Sequence, residues 1–113
     1  MALIFHMARA AEWAAAETAG SYHGADEDRA DGFIHFSTAT QVRESAAKHR
    51  TGETGLILVA CDPDALGDAL KWEPARGGEL FPHLYGDIPM TAVVWAEPLP
   101  LGGDGLHVFP DTL

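Results

Sequence analysis

Glycine and proline cut this chain so finely that few extended regular elements can form. Its 12 glycines and 7 prolines leave only residues 1–19 and 33–51 as stretches of more than ten residues free of both. A helix interior tolerates neither residue cheaply, so any helix of several turns must fall in the first half of the chain. Ala8–Ala19 (ARAAEWAAAETA) is alanine-rich and reads as the first helix, with Gly20 placed to stop it. Thr38–Arg50 reads as the second, with Thr38 and Gln41 in capping-box spacing and Ser37 as an alternative cap.

The remaining regular segments are strand-like. Leu3–Met7 alternates weakly, with Leu3, Phe5 and Met7 on one face and Ile4 and His6 on the other. Gly32–Phe36, Leu56–Cys61, Leu70–Glu73 and Ala92–Glu97 are short runs of β-branched, aromatic or aliphatic residues. Asp62-Pro63-Asp64 opens a helical turn through Leu66. Ser21–Asp31 reads as an acidic loop, and Arg76–Gly86 carries too many glycines and prolines to be regular throughout. Residues 98–113 form a Pro- and Gly-rich tail, with Leu106–Phe109 a candidate edge strand. Helices early and strands late predict an α+β fold: one compact domain over residues 1–113, mostly antiparallel, its sheet small and open to being split.

Charge narrows the function classes. The net charge is −10, and protonating all six histidines would leave it at −4. Affinity for nucleic acid or an anionic membrane rests on clustered Lys and Arg, and the seven here are scattered, so neither partner is expected. Cys61 stands alone at the end of an apolar run, which excludes an internal disulfide and reads as a buried small hydrophobe. No secretory signal or membrane span is legible, and a cytoplasmic location is the expectation.

Two stretches carry more chemistry than a scaffold requires. In Asp31-Gly32-Phe33-Ile34-His35-Phe36-Ser37, His35 shares a strand face with Phe33 and Ser37, beside a helix start whose free N–H groups favour anions. An imidazole there suits a phosphate or a ribose; on spacing alone, a core histidine bonded to backbone or to Ser37 is the commoner arrangement. In Arg76-Gly77-Gly78…Phe81-Pro82-His83-Leu84-Tyr85-Gly86, Arg76 is a ready partner for phosphate or carboxylate, and paired glycines let backbone N–H groups approach a ligand. His83 and Tyr85 point the same way if the segment is extended, and a tight surface loop with an aromatic anchor is the plain alternative. Trp72-Glu73 reads as a buried tryptophan beside a surface acid, and Asp26–Asp31 as a solvated face without calcium-loop spacing. No metal site is expected. His35, Arg76, His83 and Tyr85 are expected to converge on one cleft.

The segments DGFIHFST and LKWEPARGGELFPHLYG, together with Ile4-Phe5-His6 and Trp13, closely resemble the small bacterial family called Domain of Unknown Function 952. That resemblance implies an ADP-ribosyltransferase-like fold, with histidines on the first two strands facing a dinucleotide; here these would be His6 and His35. It further implies a cleft for NAD or another ribose-phosphate ligand, with ADP-ribosyl-type transfer or glycosidic cleavage as the chemistry. In that picture His35 and His83 are the catalytic candidates, and His6, Ser37, Arg76, Gly77, Gly78 and Tyr85 the ligand-binding ones. The catalytic glutamate of classical transferases has no clear counterpart: Glu73 and Glu97 are the nearest candidates, out of the usual context. A module that binds ligand or protein without catalysis, and a small phosphometabolite hydrolase, are the alternatives.

Overall fold

A computed structural model describes residues 2–111 and 113; Met1 and Thr112 of the single-domain span lie outside them. The centre is a four-stranded antiparallel sheet in the order β4-β1-β5-β9, formed by Ser37–Thr38 (β4), Ile4–Arg9 (β1), Leu56–Cys61 (β5) and Val93–Leu99 (β9). The apolar run of β5 is explained by burial on both faces. Val59 and Cys61 join Ile4 and Ala8 against Trp13 and Ala16 of the first helix, while Leu56, Leu58 and Ala60 pack with Phe5, Val42 and Leu99. The Cys61 thiol is fully buried, which pushes it up to about 12 and leaves it a packing group.

The first helix, α1, covers Ala10–Ala19 and ends at Gly20, whose N–H bonds the Ala16 carbonyl. It begins two residues later than expected, because Ala8 and Arg9 extend β1 against Ile57 and Leu56. Tertiary pairing overrides alanine's helix propensity there. The expected acidic loop is a short strand, β2 (Ser21–Tyr22), and a six-residue helix, α2 (Asp26–Asp31). Its acids are not a uniformly solvated face: Asp28 is buried, and its carboxylate reaches back to the Ala25 N–H at 2.7 Å. β2 pairs with β8 (Ile88–Pro89).

The stretch read as one strand over Gly32–Phe36 is divided. β3 (Ile34–His35) pairs with β7 (Leu80–Leu84), and two residues later β4 pairs with β1. One short segment therefore enters two sheets. β7 is also the middle strand of the sheet β3-β7-β6, where β6 is Leu70–Pro74, so the Phe81-Pro82-His83-Leu84 segment is regular after all. Pro82 fits an inner strand because its backbone polar groups face β3 rather than β6. Its carbonyl accepts the Phe36 N–H at 3.0 Å, and the donor it lacks falls where the β3–β7 ladder stops. Gly77 and Gly78 form the tight turn joining β6 to β7, with φ of +69° and +80°. A side chain would be strained there, so conformation accounts for the pair.

The third helix, α3 (Val42–His49), starts four residues after Thr38. The Gln41 side chain does accept the Thr38 N–H, at 3.0 Å, but across a turn that precedes the helix. Its amide also donates to Glu79 and the Leu80 carbonyl, tying this turn to β7. Trp72 lies exposed on β6 rather than buried. Leu106–Phe109 is not an edge strand; the tail is held by a lone bridge between Leu101 and His107 and by His107 Nε2 donating to the Glu53 carbonyl. No described helix is long and apolar enough to cross a membrane.

Candidate functional site

The crossover from β3 to β4 lies against a cleft of about 510 Å³, within the roughly 300–1,000 Å³ usual for small-ligand sites. β1 supplies Phe5, His6 and Met7, and the crossover supplies His35, Phe36 and Ser37. α2 adds Glu27, Asp28 and Asp31; α3 adds Ser45 and His49, and Arg50 follows at its C-cap; Arg76, Phe81 and His83 also line the cleft.

Asp28 organises one wall. Its Oδ1 accepts both the His35 backbone N–H, at 3.1 Å, and His35 Nδ1–H, at 2.6 Å, while Oδ2 takes the Ala25 N–H. Burial by itself would raise this carboxyl. The His35 hydrogen bond, the nearby His6 ring and the two backbone donors outweigh that and hold it at about 2. The bond to Asp28 conversely raises the His35 pKa against the opposing effect of burial, helped by Asp31, whose Oδ2 lies 2.9 Å from Nε2. His35 is thus an imidazolium fixed on one side by a buried acid and capped on the other by an exposed one. It is 42% exposed, and Ser37 bonds Ser45 rather than the ring, so it is not a satisfied core histidine.

That description belongs to His6. Its Nδ1–H donates to the His35 carbonyl at 2.7 Å, and its Nε2 accepts the Tyr22 hydroxyl at 2.9 Å. Burial lowers its pKa, so the ring is neutral and both nitrogens are engaged. Tyr22→Phe is expected to leave Nε2 unpaired in the core and cost about 1–2 kcal/mol, measured by urea unfolding. A loss under about 0.5 kcal/mol would mean the bond adds little.

His83 is the direct cross-strand partner of His35, with ring centroids 5.9 Å apart. Its Nδ1–H donates to Glu73 Oε1 at 2.8 Å, and Phe33 stacks on its face at 4.1 Å. Tyr85 donates to the same Glu73 oxygen at 2.7 Å, which places it behind the wall rather than among the lining residues. Bonds from Tyr85 and then His83 lower the Glu73 pKa and keep it a carboxylate. Glu97 is exposed on β9 and does not line the cleft. Arg76 lies over the Phe81 ring at 4.9 Å, with Nε 3.0 Å from Glu44 Oε1 and a long 3.4 Å contact to Ser45. Gly77 and Gly78 sit at the hairpin tip outside the lining.

Of the residues singled out in sequence, His6, His35, Ser37, Arg76 and His83 meet at one cleft, with Tyr85 one contact away. Asp28, Asp31, Ser45, His49 and Arg50 were missed. For Asp28 a signal existed, an acid three residues after a helix entry and seven before a histidine. His49 has none, since it is only the last residue of a polar helix; burial, then Arg76, lowers its pKa and keeps it neutral.

Fold and site together define a small α+β protein with a cleft between two antiparallel sheets, its walls mostly apolar and a few polar side chains converging on it. The family model described as "Protein of unknown function (DUF952)" matches residues 7–96, and the chain belongs to that family. It is similar to protein CC0527 from Caulobacter crescentus. The X-ray structure of that protein shares 42% identity and covers 94% of this chain and 93% of the other, with a TM-score of 0.90. The solution NMR structure covers 98% and 96%, with a TM-score of 0.86. No curated protein matches the chain.

Proposed function

We propose that the cleft binds NAD or another ribose-phosphate ligand, in an ADP-ribosyltransferase-like arrangement, and that its chemistry is ADP-ribosyl-type transfer or glycosidic cleavage. The observation that carries this reading is the pair of cross-strand imidazoles, His35 and His83, each held by a carboxylate and both lining one ligand-sized cleft with Arg76. An imidazolium and a guanidinium suit phosphate oxygens, and Ser37 and Ser45 suit ribose hydroxyls. The walls from Phe5, Phe36 and Phe81 suit a base or a nicotinamide ring. The protein acts in the cytoplasm on a small molecule, without nucleic acid.

A thermal-shift panel of NAD, ADP-ribose, mononucleotides and sugar phosphates tests this. A ligand at 100 times its Kd should add about 2.7 kcal/mol to stability. Arg76→Ala should then weaken binding by roughly 1.5–3 kcal/mol, as for a hydrogen bond to a charged group. No shift with any member of the panel would sink the reading. A shift without products on chromatography would favour the binding module.

A further inference from the structure

We propose that His83, oriented by Glu73, is the general base that deprotonates the hydroxyl attacking C1′ of the bound ribose. This inference rests on the ribose-phosphate reading and adds to it a named base and the residue that aims it.

Among the histidines of the cleft, His83 alone combines a fixed ring with a nitrogen that has no partner among the described residues. His6 has both nitrogens engaged in the core, and His35 has both on aspartates. His49 lines the cleft, but among the described residues no hydrogen bond orients its ring. The His83 ring is held at its edge by Glu73 and over its face by Phe33, at an interplanar angle of 21°. With Nδ1–H donated to Glu73, Nε2 is the ring nitrogen left to accept a proton. Glu73 is itself held by Tyr85 from outside the cleft. A base fixed on edge and face loses little freedom in the reacting complex.

The step balances without any redox partner. The hydroxyl oxygen of water, or of an acceptor, forms the bond to C1′, and its proton passes to His83 Nε2. The C1′–N bond to the pyridinium breaks, and its electron pair stays on the ring nitrogen, leaving neutral nicotinamide. His83 then returns the proton to solvent. Glu73 touches neither substrate nor reacting atoms, so it is a positioning residue.

The probes are NAD and nicotinamide mononucleotide, both of which carry the pyridinium–C1′ bond. Binding is read by calorimetry and nicotinamide release by chromatography, on the full chain. His83→Ala is expected to lower kcat by roughly 10²–10⁴-fold, the range for a general base, with Kd within about threefold. His83→Gln, which keeps an edge donor and most of the volume, should show the same split if the alanine variant folds poorly. Glu73→Gln should lower kcat by about 10²-fold at constant KM, the lower end of that range. The nitrogen chemical shifts of His83 should then show the Nδ1–H tautomer losing its preference, which a merely structural glutamate would not produce. Binding without cleavage by the native chain, or full kcat in both His83 variants, overturns the base and leaves the binding reading standing. If neither probe binds, this inference falls, and the cleft reading is decided by the rest of the thermal-shift panel.

Discussion

Asp28→Asn should destabilise the fold by about 3 kcal/mol, the lower end of what removing one partner of a buried ion pair costs. The lower end applies because His35 is half-exposed and can shed its proton, whereas Asp28 itself is buried. An amide in its place brings a donor towards three donors: the N–H groups of Ala25 and His35 and the His35 ring. The pH dependence should change with it. The Asp28 carboxyl is held at about 2 against an ordinary 3.8, so its contribution is complete above about pH 4 and is lost as pH falls towards 2. His35 is raised above 6.5, so its contribution is complete below that value and is lost as pH rises through the folded pKa. The variant should flatten both limbs of a stability–pH curve from urea melts, and an NMR titration should find the His35 ring lower than in the native chain. Unchanged His35 titration would show that Asp31 alone sustains the charge.

Gly24→Ala should cost about 2–4 kcal/mol, combining a left-handed backbone penalty with overpacking. Gly24 is buried with φ of +91°, and an added Cβ would lie 2.9 Å from the Asp28 Cβ and 3.2 Å from Ile34 Cγ1. Relief would require Asp28 to move, and with it the aspartate–histidine contact. The double variant with Asp28→Asn should therefore fall short of the summed losses by more than about 0.5 kcal/mol in chemical denaturation. Strict additivity would mean that Gly24 does not act through Asp28.

What could be read from sequence follows from how locally each feature is determined. Leu56–Cys61 was legible to the residue because an unbroken apolar run needs two buried faces, which only an inner strand supplies. β7 was illegible because proline ordinarily breaks a ladder, and its acceptability depends on which neighbour its nitrogen faces, a tertiary fact. Asp28 looked like one acid among several; a helix turn and a strand seven residues on, folded back together, make it the partner of His35. His35, Arg76 and His83 were legible as a group because each sits beside glycines or aromatics that a plain scaffold does not need. Their carboxylate partners were not, apart from Glu73, which stands out in sequence only as a candidate for the transferase glutamate.

Residues 34–38 belong to two sheets at once, and this bears on how fast a ligand can bind. The walls of the cleft cannot swing apart without breaking either the β3–β7 or the β1–β4 pairing, since a single residue, Phe36, separates them. Entry therefore requires no opening of the sheets; exposed carboxylates such as Asp31 need only rotate aside. Stopped-flow traces should show one phase whose rate rises linearly with ligand concentration, without the plateau that a slow gating step imposes.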